Sequence, residues 1–122
     1  MGRGSSIVIF EPDLLFSSKI ESAARKLELE VMIETRLEDA VNKMGSVDPL
    51  AIIVNLDAVP GNGLQEFTRN KGRIVLGYYS HVNTRVCEEA RNLGVNMVFS
   101  RGAFLARIDG ILRKIAEQEA AG

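Results

Sequence analysis

Apolar residues along the chain switch repeatedly between unbroken runs and a helical spacing, and the switches mark the elements. Ile7-Val8-Ile9-Phe10 is a run of β-branched and aromatic residues halted by Glu11-Pro12, the pattern of a first strand buried on both faces. From Asp13 onward Phe16, Ile20, Ala23, Ala24 and Leu27 recur on one helical face while Lys19, Glu21, Arg25 and Lys26 fall elsewhere, which predicts an amphipathic helix. Leu29 to Ile33 reads as a second strand. Thr35 with Glu38 three residues later then has the signature of a capping box, ahead of a short helix carrying Leu37, Ala40, Val41 and Met44.

The run Leu50-Ala51-Ile52-Ile53-Val54 predicts a third strand, and Asn55 is the polar residue at its tip. Ala58 to Gly63 is turn chemistry, Leu64 to Asn70 a brief helix, and Lys71-Gly72 its break. Ile74-Val75-Leu76 is a fourth buried strand; Val82, Val86, Ala90 and Leu93 mark a fourth helix, with Gly94 at a left-handed cap. Met97-Val98-Phe99 completes the sheet, and Phe104, Ile108, Ile111, Leu112 and Ile115 stripe a final helix. Five strands alternating with five helices predict a single α/β domain built on a doubly wound, five-stranded parallel sheet. Its chemistry is expected at the carboxyl edge of that sheet.

A length of 122 residues with 46% hydrophobic residues suits one ordinary core. The domain is placed at residues 6–117, with 1–5 as a flexible N-terminus and 118–122 as a C-terminal tail. The 15 Lys and Arg residues nearly balance 16 Asp and Glu, so electrostatic capture of nucleic acid or of an anionic membrane is not expected. Apolar runs are far shorter than the roughly 20 residues that span a bilayer. The chain therefore reads as soluble and cytoplasmic. Cys87 is the only cysteine and His81 the only histidine, which excludes an intrachain disulfide and leaves no multi-residue zinc motif. Gly61-Asn62-Gly63 lacks both the lysine of a phosphate-binding loop and the glycine spacing of a dinucleotide site, and no cofactor is expected.

The stretch from Asp48 to Leu64, with Asn55 eight residues before Gly63, resembles the third strand and following loop of response-regulator receiver domains. The likeness extends over about residues 6 to 117 and implies a flavodoxin-like (βα)5 fold. In that family the strand-tip residue is the aspartate that accepts a phosphoryl group. The resemblance therefore puts an amide at the acceptor position, and an amide has no anionic oxygen with which to attack phosphorus. Receivers also place two adjacent acids after the first strand to hold a divalent metal; here Glu11 takes the first position and Pro12 the second, with Asp13 one step later. Glu11 and Asp13 are at most a weak metal pair, and Asp13 also suits the cap of the first helix.

The family's lysine after the fifth strand aligns with Arg101, followed by Gly102 where proline is usual. Arg101 is expected to bridge to Glu11 or Asp13, because a guanidinium fork matches a carboxylate. The switch hydroxyl falls among Tyr78, Tyr79 and Ser80, of which Ser80 is the small one, and the aromatic switch falls on Val98. The two tyrosines are read as loop residues, one packed and one exposed.

Taken together, the resemblance implies an atypical receiver, a pseudo-receiver whose degenerate acceptor pocket comprises Glu11, Asp13, Asn55, Ser80 and Arg101. It is expected to act in two-component signalling as a phosphorylation-independent interaction module and not as an enzyme. The expected partner is a protein, with a homodimer as one form, bound on a surface that includes Arg107, Arg113 and Lys114. Two alternatives stay open: a phospho-acceptor receiver using Asp57, and a small-ligand sensor at the strand tips.

Overall fold

The computed structural model describes residues 6–69, 73–80 and 84–121. Strands β1 (Ser6–Phe10), β2 (Glu30–Glu34), β3 (Ala51–Asn55), β4 (Ile74–Tyr79) and β5 (Met97–Ser100) form one sheet in the order β2-β1-β3-β4-β5. Every neighbouring pair is parallel. This is the doubly wound arrangement expected from the alternation of runs and helical periods, and its strand order reverses between β1 and β3. The side chains just beyond those two strands therefore meet at the crevice where such sheets carry their sites.

Alternation along the strands sorts the apolar residues into two cores. Ile7, Ile9, Ile53, Leu76 and Tyr78 pack on one side against Phe16, Ile20 and Ala24 of α1 (Leu14–Arg25), Phe104 of α5 (Arg101–Ala106), and Ile111, Leu112 and Ile115 of α6 (Ile108–Ala121). Val8, Phe10, Ile52, Val54 and Val75 face the opposite way, onto α2 (Leu37–Val47), α3 (Leu64–Thr68) and α4 (Thr84–Asn92). Because both faces of the central strands are covered, those strands read as unbroken apolar runs. Among the described residues no helix is long and apolar enough to cross a membrane.

Several boundaries depart from the sequence expectation. Helix α2 opens one residue later than a Thr35 cap requires: Arg36 is the N-cap, without a side-chain cap bond, and its guanidinium instead meets Glu38 at 2.9 Å. The Thr35–Glu38 capping box does not form. The final apolar stripe is carried by two helices, because Arg107 leaves helical geometry at φ −113° and ψ 10° and its N–H bonds back to the carbonyls of Ala103 and Phe104. Gly94 adopts the expected positive φ of 93°. Val82 and His81 lie outside the described residues.

The most consequential departure is the length of β4, which continues through Gly77 to Tyr79. Gly77 is kept free of a side chain by Leu56, which belongs to a single 3-10 turn, Leu56–Ala58, that the sequence pattern did not reveal. A Cβ at Gly77 would lie 2.8 Å from Leu56 Cγ. Gly77→Ala should therefore push Leu56 and its turn outward and cost about 1–3 kcal/mol. Urea denaturation with an unchanged midpoint would mean that Leu56 finds another rotamer.

Candidate functional site

Glu11, the first residue beyond β1, is only 1% exposed, so its carboxylate must be satisfied from within. Oε1 accepts from Asn55 Nδ2 at 3.0 Å and from the Tyr78 hydroxyl at 2.7 Å. Oε2 accepts from Asn55 Nδ2 at 3.0 Å and from the Asp13 backbone N–H at 3.0 Å. With two donors on each oxygen the acceptor capacity of the group is filled. Asn55 serves both sides of the site: its Nδ2 straddles the carboxylate while its Oδ1 accepts from the Asp57 N–H at 2.9 Å and caps the 3-10 turn. That pairing sets the amide orientation, since the flipped rotamer would put an oxygen against Glu11.

Tyr78 enters because β3 and β4 pair in register, Asn55 beside Tyr78. Its ring lies 5.0 Å from Phe16 and 5.0 Å from Phe104. Burial, with the Glu11 carboxylate adding to it, pushes the Tyr78 hydroxyl well above its ordinary value, so it remains a proton donor. The expectation of a loop pair is corrected here. Tyr78 is a buried strand residue bonded to Glu11, and Tyr79 is half-buried at the strand end.

Asp13 and Arg101 form a second, outer group. Asp13 caps α1, its Oδ1 accepting from Leu15 N–H at 3.0 Å and Phe16 N–H at 3.3 Å. Its Oδ2 accepts from Arg101 at 3.3 Å, and the guanidinium carbon sits 3.9 Å from the centre of the Phe16 ring. Arg101 thus meets Asp13 and not Glu11. The pair is substantially exposed, 37% for Arg101 and 49% for Asp13, so the attraction itself adds little.

The Phe16 backbone N–H, with the Leu15 N–H and Arg101 assisting against partial desolvation, lowers the Asp13 pKa from its ordinary 3.8. A depressed carboxyl contributes stability above its unfolded value and loses it as pH falls through the folded one. Denaturation curves of the wild type and Asp13→Asn should therefore keep a constant separation above 3.8 and approach each other only in stronger acid. Convergence at higher pH would assign the acid response to another group.

The third group joins the loops after β3 and β4. Asp57 Oδ2 accepts from the Ser80 N–H at 2.6 Å and the Ser80 hydroxyl at 2.8 Å. Ser80 therefore pairs with Asp57 and not with Asn55. Gly77 positions this link, since the Leu56 turn that rests on it carries Asp57.

These arrangements bear on the weak metal pair. Glu11 has no unoccupied acceptor, and both Asp13 oxygens are committed to α1 and Arg101. Among the described residues no three His, Cys, Asp or Glu side chains are grouped to hold an ion. The donors present do not fit Mg²⁺, which needs carboxylate oxygens free to bind it.

Other candidates resolve into packing. Cys87 is buried in α4. Gly63 is required by close approach, because a Cβ there would stand 2.6 Å from Leu37 Cδ2 and 3.0 Å from the Pro60 carbonyl. Val98 is half-buried in β5 and packs on the α2–α4 side of the sheet. Arg107, Arg113 and Lys114 are all exposed. Arg107 and Lys114 line one cavity of about 530 Å³ with Met97 and Phe99, whereas Arg113 is not among its walls.

The fold as a whole resembles response-regulator receiver domains. With the CheY-like receiver domain protein of Methanospirillum hungatei JF-1, the TM-score is 0.76 at 14% identity, covering 96% of this chain and 98% of that one. The signal receiver domain of a DNA-binding response regulator from Colwellia psychrerythraea 34H superposes with a TM-score of 0.79 at 18% identity, covering 92% and 98%. The REC domain of AraT, a response regulator from Geobacillus stearothermophilus, gives 0.76 at 16% identity over 95% of each chain. No family model and no curated protein matches the sequence. The chain is a single-domain α/β protein with the CheY-like receiver fold.

Proposed function

We propose that this chain is a receiver-like signalling module that works by phosphorylation-independent protein–protein contact, in the cytoplasm and as part of two-component signalling, and that it is not an enzyme. One observation carries the reading: the residue at the acceptor position, Asn55, is an amide whose donors hold Glu11 and whose acceptor holds the Asp57 N–H. A carboxylate there would lack the donors that Glu11 needs. The commitment of Arg101 to Asp13 and the absence of free oxygens on Glu11 support the same conclusion. Function then resides in a surface, for which the exposed Arg107, Arg113 and Lys114 are the proposed contacts, with a protein partner or a second copy and without nucleic acid, membrane or cofactor.

The Asp57 alternative draws on a specific contact, the Ser80 hydroxyl beside an exposed carboxylate. Against it, Asp57 Oδ2 already accepts two hydrogen bonds, which lower its nucleophilicity, and Arg101 is engaged with Asp13. The strand-tip ligand reading has less support, because Glu11, Asn55 and Tyr78 use their polar groups on one another. Incubation with acetyl phosphate or beryllium fluoride and Mg²⁺ should leave both intact mass and the two-dimensional NMR spectrum unchanged. A stoichiometric adduct on Asp57 would replace this proposal with the phospho-acceptor one.

A further inference from the structure

We propose that the cavity between β5 and the start of α6 binds a small amphipathic anion, an apolar body ending in a carboxylate, sulfonate or phosphate. Its volume of about 530 Å³ lies within the range of roughly 300–1,000 Å³ typical of small-molecule sites. The chemistry of its walls is divided. Met97 and Phe99, alternate residues of β5, supply an apolar side together with Ile111. Arg107, in the break before α6, and Lys114, on α6, also line it and are both exposed.

The position of the cavity follows from the sheet. β5 is an edge strand, so its Met97 and Phe99 remain only partly buried where the central strand β1 is covered completely. Beside them α6 places Gly110, where an added Cβ would meet nothing within 4 Å. The space therefore borders an edge strand and a helix position that carries no side chain. Neither Arg107 nor Lys114 has a salt-bridge partner among the described residues. Asp109 also borders the cavity, one carboxylate against two cations. The rim thus keeps an excess of positive charge over an apolar floor, which matches an anion with an apolar tail and disfavours the corresponding cation.

This site shares Arg107 and Lys114 with the partner surface proposed above, yet it does not depend on that reading, because ligand binding is measured on the isolated protein. The probe is decanoate, titrated into the full chain below its micelle concentration and followed by two-dimensional NMR. Decanol and decyltrimethylammonium serve as neutral and cationic counterparts. Decanoate should produce saturable shifts centred on Met97, Phe99, Gly110 and Ile111. Gly110→Leu should abolish them without lowering thermal stability, since leucine fills open space and favours the helix. Replacing both cations, Arg107→Gln with Lys114→Gln, should weaken decanoate roughly tenfold and leave decanol unchanged. Equal binding of all three probes, undiminished binding to Gly110→Leu, or shifts that map elsewhere or fail to saturate would overturn the proposal.

Discussion

Asn55→Asp should be among the most damaging single substitutions at the strand tips, costing on the order of 3–5 kcal/mol at neutral pH. The change is nearly isosteric, so the cost is electrostatic. It removes the Nδ2 donors that hold both Glu11 oxygens and puts a carboxylate oxygen where Nδ2 lies, 3.0 Å from each. At an effective dielectric of 20, two unit charges at that separation repel by about 5.5 kcal/mol. The variant relieves this by keeping a proton on the pair, whose folded-state pKa is thereby raised above the unfolded value. Its stability should accordingly be closest to wild type near the unfolded carboxylate pKa of about 4 and fall away as pH rises through the folded value. Asn55→Asp should also remain unphosphorylated, because Tyr78 and the Asp13 N–H still occupy Glu11 and Arg101 still faces Asp13. Wild-type stability at pH 7, or a phosphoryl adduct on the new aspartate, would show that the amide is incidental.

Glu11→Ala should cost a similar amount, about 3–5 kcal/mol, which is a large share of the 5–15 kcal/mol that stabilises a typical domain. It strands the Asn55 amide, the Tyr78 hydroxyl and the Asp13 N–H together, and at 1% exposure of Glu11 bulk water cannot replace the lost acceptor without opening the crevice. Tyr78→Phe provides the scale. It keeps the ring between Phe16 and Phe104 and deletes one bond to a charged group, so a loss of about 1.5–3 kcal/mol is expected. A double-mutant cycle should be strongly non-additive, since Tyr78→Phe removes one of the donors that Glu11→Ala leaves unpaired. Additive losses would mean that the 2.7 Å contact contributes little in solution.

The fold was largely legible because its signals are local. Apolar runs identified β1 and β3, and helical stripes identified α1 and the final helical segment. Gly94 marked its cap because only a residue without a Cβ tolerates that φ easily. Asp13 as the α1 cap was legible for the same reason, being a contact between a side chain and N–H groups two and three residues away. The reading failed where a local signal had competitors. The apolar run ended at Leu76, whereas β4 continues through Gly77, which lies beneath Leu56, twenty-one residues earlier. The break at Arg107 left the apolar stripe intact, so periodicity could not reveal it.

The candidate site divides along the same line. By itself the sequence determined that Glu11, Asn55 and Arg101 stand at the ends of three different strands, and that parallel strands bring their carboxyl ends to one edge; chain connectivity and apolar periodicity suffice for that. Which of these residues touch was decided only by the tertiary structure. Arg101 was equally compatible with Glu11 and Asp13, and the choice came from the Phe16 ring on which the guanidinium rests. Tyr78 became a donor to Glu11 because the β3–β4 register set it beside Asn55 in a buried layer where its hydroxyl had to find an acceptor. Ser80 was turned toward Asp57 by a 3-10 turn resting on a glycine of another strand. Such pairings depend on distances between residues far apart in the chain, and those distances exist only once the sheet has closed over its two cores.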